Sequence, residues 1–176
     1  MQRYVSEMVK VMQTWCDNLL AMEKSQSASS QKTEHDLQHG YFTLVPTDMF
    51  KMVTQQMSLA QSSGLPKVVV GVCQGLTRVF EYYQEELIKQ IQSSWSSWEV
   101  EYLCAQLNDG ARCMELLEDV NEEVSMLVGE DWAGEVDFDS CLSGFLGVSA
   151  AASECIARSF FRDMSSLVEL LFGDEW

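Results

Sequence analysis

Two prolines and two histidines are all that this chain of 176 residues contains. The scarcity of proline leaves long stretches free of helix breakers, and runs of β-branched residues are few. Both absences exclude a β-rich fold and favour an all-α one. Pro46 and Pro66 each stand where a helix could begin. Both histidines, His35 and His39, lie in a polar stretch, which leaves little for general-base work near neutral pH. Gly-rich phosphate loops, a nucleophile elbow and a Ser/His/Asp set are also missing, so catalysis is not expected. Basic residues are scarce too: 11 Lys and Arg stand against 27 Asp and Glu, for a net charge of −16. The imbalance is concentrated beyond Ser97, where 3 basic residues face 18 acidic ones. Such a half repels nucleic acid and anionic lipid, which both need clustered Lys and Arg. The N-terminus has no continuous apolar stretch of the signal-peptide kind. An uninterrupted apolar run of ~18 residues is lacking, so no membrane span is expected.

What is present is a core. Hydrophobic residues make up 47% of the chain, enough for one packed domain. Six cysteines occur, at 16, 73, 104, 113, 141 and 155, with no CxxC pair and no histidine at zinc-ligand spacing. Most fall on apolar helix faces, where a thiol acts as a small hydrophobe. They read as reduced core residues of a cytosolic protein.

The periodicity predicts about five helices in an elongated, antiparallel bundle. The first covers residues 1–24, with Val5, Met8, Met12, Trp15, Leu19 and Met22 on one stripe. Residues 25–45 follow as a flexible polar linker that ends in an apolar strap, Tyr41–Val45. The remaining bundle fills 46–176 and is expected to be a partial domain, cut at both ends. Thr47 is the expected cap of the second helix, which buries Phe50, Val53, Met57 and Ala60 and ends at Gly64. Pro66 opens the third, which runs to about Ser94 along Val69, Val72, Leu76, Val79, Phe80, Tyr83, Leu87 and Ile91. The fourth runs from about Trp98 to Val128, along Leu103, Leu107, Met114, Leu117, Val120 or Asn121, Val124 and Leu127. Gly110 falls in its middle, at a cost of ~1 kcal/mol relative to Ala. Asp137 or Asp139 caps the fifth, which carries Phe138, Leu142, Phe145, Ala152, Ile156 and Phe160. A break or kink near Asp163 is expected there, with an apolar face continuing to the end.

Candidate sites are few. His35 and His39 could share a metal if helical, but no third ligand is set by sequence, and a linker is the simpler reading. Glu135, Asp137 and Asp139 alternate like the start of a calcium loop, yet the glycine and terminal glutamate of an EF-hand are missing; helix capping accounts for them. Neither metal nor cofactor is expected. Glu115, Glu118, Asp119, Glu122 and Glu123 recur at three- and four-residue spacing and form one charged ridge on the fourth helix. A solvated face is the plain reading, and a docking strip for a basic partner helix is the functional one. Trp95, Trp98, Trp132 and Trp176 lie near breaks or the terminus, where tryptophan serves interfaces or plugs bundle ends equally well.

Three blocks, in order, carry a family resemblance. The first is Trp15 with Asn18-Leu19-Leu20, then Leu44-Val45-Pro46-Thr47-Asp48-Met49-Phe50. The second runs Tyr102-Leu103-Cys104-Ala105-Gln106-Leu107-Asn108, then Arg112-Cys113 and Glu115-Leu116-Leu117. The third is Val136-Asp137-Phe138 with Cys141 and Gly144-Phe145-Leu146. Together they resemble a later segment of the Sec-six family of exocyst subunits, also called exocyst complex component three, in its plant-like forms. Asp109 and Gly110 depart from the polar pair that follows Asn108 in that family, and 125–135 matches no family pattern. The resemblance implies a rod of stacked helical bundles that docks secretory vesicles at the plasma membrane during exocytosis. It implies other exocyst subunits as partners, with SNARE proteins as further candidates, and a cytoplasmic, peripheral location at sites of exocytosis. The alternative from the residues alone is a free-standing acidic helical adaptor for a basic or SNARE-like helix.

Overall fold

The computed structural model describes residues 2–26, 34–36 and 40–173. Five helices dominate: α1 (Gln2–Gln26), α2 (Val45–Ser62), α3 (Pro66–Ser94), α4 (Val100–Val128) and α5 (Asp139–Phe172). Two three-residue strands, β1 (Glu34–Asp36) and β2 (Gly40–Phe42), form a small antiparallel ribbon between α1 and α2. Short 3₁₀ turns at Trp95–Ser97 and Ala133–Glu135 make the last two corners. The contacts set the directions. Along α3, Gln74 meets Glu135 in the turn before α5, Gln84 meets Cys141 and Ile88 faces Gly147, so α3 and α5 run parallel. Ser149 bonds the Leu107 carbonyl while Arg162 reaches Ser96, so α4 and α5 run antiparallel. Short connections therefore join antiparallel neighbours, as expected for a bundle.

The core is continuous through all five helices. Its centre is Phe80, stacked on Phe50 at 5.5 Å between ring centroids and edge-on to Phe145 at 5.7 Å. Such offset geometries suit the ring quadrupole. All eight residues assigned to the inner face of α3 are buried, as are the four assigned to α2. On α1, Met8, Met12 and Leu19 of the expected stripe are buried, Cys16 and Leu20 are buried beside them, and Met22 is exposed. On α4 the sequence alternative resolves to Val120, with Asn121 exposed. There the polar Gln106 and Asp109 are also buried, beside Gly110 and Cys113.

Several expectations change. The helix α2 begins at Val45 rather than at a Thr47 cap, because the Val45 N–H is taken by Thr43 Oγ1 at 3.2 Å. Asp139 opens α5, and Asp137 accepts its N–H at 2.8 Å, an Asx turn that leads into the helix. No break occurs near Asp163; the helix continues to Phe172. Its burial does not continue. Phe160 is exposed, and every residue from there to Gly173 is exposed with it. By length and composition α5 is apolar enough to cross a membrane, but Cys141, Phe145, Val148, Ala152 and Cys155 in its first half face the bundle core.

Candidate protein-docking site

The acidic ridge is built by the register of α4. Leu117, Val120 and Val124 point into the core. A helix with its buried stripe fixed in this way must turn the intervening positions outward. Glu115, Glu118, Asp119, Glu122 and Glu123 are accordingly all exposed on one side. Glu115 accepts a charge-assisted bond from Arg112 Nη1 at 2.7 Å. Among the described residues the other four have no ion-pair partner, so the ridge keeps nearly its full negative charge.

A second feature lies about two turns earlier on the same helix, and sequence reasoning did not single it out as a site. Gly40–Thr43 crosses α4, and Asn108 Nδ2 donates to the Tyr41 carbonyl at 2.8 Å. The Asp109 carboxylate accepts from the Thr43 N–H at 3.0 Å and from Thr43 Oγ1 at 2.6 Å. Beside this clasp lies a hollow of about 370 Å³, lined by Phe42, Thr43, Pro46, Thr47, Arg112 and Glu115 among others. Asn108 and Asp109, two adjacent polar residues in the middle of a helix, were the only sequence signal.

The tryptophans divide. Trp98 is buried and meets Tyr102 edge-on at 4.7 Å, so it plugs the α3–α4 corner. Trp95 is half-buried beneath the Arg162 guanidinium, 5.6 Å from the ring centroid. Trp132 is half-buried in the α4–α5 corner, and Trp176 lies outside the described residues. So do His39 and the side chain of His35, on which the metal pair would depend. Among the described residues no three His, Cys, Asp or Glu side chains are placed to hold a metal ion.

The family model for exocyst complex component Sec6 matches residues 1–176, the entire sequence. This chain belongs to that exocyst-subunit family. Its fold is similar to the crystal structure of the C-terminal domain of the exocyst subunit Sec6p, with a TM-score of 0.83 at 21% identity. The likeness takes in 99% of this chain and 50% of the solved one, so the chain spans about half the length of that structure. At this identity the structural match carries the helical fold alone. Family membership displaces the reading of a free-standing adaptor.

Proposed function

We propose that this chain is a helical segment of an exocyst subunit that helps to dock secretory vesicles at the plasma membrane, through contacts with other subunits of the complex. The observation that carries this reading is the family match over all 176 residues. The mechanism is rigid presentation: a continuous core holds α4 and α5 in register, and their outer faces meet partners. The chain performs no chemistry of its own and requires no cofactor. It acts in the cytoplasm, peripheral to sites of exocytosis, with SNARE helices among its candidate partners. The apolar α5 serves the bundle and partner contacts, not membrane insertion. Residues 1–24 and 46–176 form the bundle, tied by the 25–45 segment.

The ridge Glu115, Glu118, Asp119, Glu122 and Glu123 is the docking strip in this reading, suited to a basic partner surface by charge complementarity. Co-purification with several other exocyst subunits tests the first claim; capture of none of them would overturn it. The ridge is tested separately by the triple variant Glu118→Lys, Asp119→Lys and Glu122→Lys. Binding is expected to weaken by about tenfold or more and to lose much of its salt dependence. Unchanged affinity would remove the ridge while leaving the exocyst assignment in place.

A further inference from the structure

The strap Gly40–Thr43 is held to α4 by two adjacent side chains, and one of them is a buried acid. Asp109 is 6% exposed, and both its carboxylate oxygens point at Thr43. The approach is close all along: Gly40 has φ of 71°, and a Cβ there would lie 3.3 Å from Asn108 Nδ2. No cation compensates the Asp109 charge among the described residues. Arg112 and Glu115 line the adjoining hollow but bind each other. From α2 come Pro46 and Thr47, and from α5 the turn Phe145–Ser149, all uncharged. The strand β1 beside the strap brings Glu34, His35 and Asp36, whose side chains are not among those described.

We propose that Gly40–Thr43 is a latch worked by a proton on Asp109: the neutral carboxyl holds the strap closed on α4, and the carboxylate lets it open toward water. Closing the strap strips water from Asp109, which is costly for an anion and cheap for a neutral acid. A protonated carboxyl still offers an oxygen to the Thr43 N–H. Burial pushes the Asp109 pKa up to about 7 from 3.8, against the pull of the two Thr43 donors. The closed state therefore binds the proton more tightly than an open one. Closure is strongest below the ordinary carboxylate range and weakens as pH rises through about 7. Opening would expose Asn108, Asp109 and the adjoining hollow.

Amide hydrogen exchange at Phe42 and Thr43, corrected for the intrinsic pH dependence of exchange, reads the latch directly. Protection is expected to fall on the order of tenfold between pH 5.5 and 8.5. In Asp109→Asn it is expected to stay flat over that range, which separates Asp109 from every other titratable group near the strap. Thr43→Val is expected to lower protection at every pH and to keep the pH dependence. The ¹³C titration of the Asp109 carboxyl in the unmodified protein decides the matter even if a variant fails to fold. A midpoint near 7 supports the latch. A midpoint in the ordinary carboxylate range, or an equal pH response in Asp109→Asn, overturns it.

Discussion

Gln84 on α3 reaches into the space left by Gly144 on α5, where its Nε2 donates to the Cys141 carbonyl at 2.7 Å. Gln84 is itself buried, so this bond satisfies a group that would otherwise be costly to enclose. A Cβ on residue 144 would overlap the Gln84 amide. Gly144→Ala is therefore expected to destabilise the bundle by about 1–3 kcal/mol, despite the better helix propensity of Ala. Urea unfolding measures it. Adding Gln84→Ala should recover part of the loss, as expected for two sites in direct contact; purely additive losses would contradict the account.

Gly110 offers a second test of close packing, with an internal control. A Cβ there would meet the Phe145 carbonyl at 3.1 Å and the Ser149 nitrogen at 3.3 Å, both backbone atoms of α5. Backbone cannot rotate away as a side chain can, so Gly110→Ala is expected to cost about 1–3 kcal/mol. At Gly147 the nearest atom is Ile88 Cδ1 at 3.6 Å, an ordinary contact. Gly147→Ala is expected to be neutral or to stabilise by about 0.5–1 kcal/mol. Equal effects at the two positions would show that helix propensity, not packing, governs both.

Phe80 lies at the meeting point of α2, α3 and α5. It is fully buried and touches both Phe50 and Phe145. Phe80→Ala is expected to cost about 3–5 kcal/mol, through lost burial and the cavity left behind. Phe80→Leu should cost less. A calorimetric scan of both would reveal the order, and a neutral Phe80→Ala would contradict a single shared core.

Burial pushes the Cys16 and Cys73 thiols up to about 12 and Cys141 to about 11. Buried thiols resist ionisation, and the thiolate is the reactive form. In the native protein at pH 8, an aromatic disulfide reagent is expected to label Cys104 first, since it alone of the six is only half-buried. All six should react on unfolding. Above pH 9, the ordinary thiol value, the unfolded chain releases protons that the folded one retains, so stability should decline there. Six fast thiols in the native state would contradict the burial.

The last three turns of α5 carry Met164, Leu167, Val168, Leu170, Leu171 and Phe172, all exposed. A chain that stops after Arg162 is expected to unfold within about 1 kcal/mol of the original, since these residues bury little in the bundle. It should bind less of a hydrophobic dye. A loss much greater than that would mean that these turns belong to the core.

The sequence by itself determined the helices and the buried faces of α2 and α3, because a 3.6-residue period needs only neighbours along the chain to be read. Pro66 and Gly64 punctuated the α2–α3 corner for equally local reasons. The acidic ridge was legible too: once Leu117, Val120 and Val124 face inward, the acids between them can only face out. The rest depended on partners distant in sequence. Gly110 read as a mid-helix cost; only the approach of α5 makes it a requirement. Asp109 read as a departure from the family's polar pair, and only the return of Thr43, 66 residues earlier, makes it an anchor. The buried stripe of α4 passes through Gln106 and Asp109, which no hydrophobic pattern selects. Local periodicity assigns faces; it cannot say which polar groups find a hydrogen-bond partner inside, because that partner is chosen by the packing of whole helices.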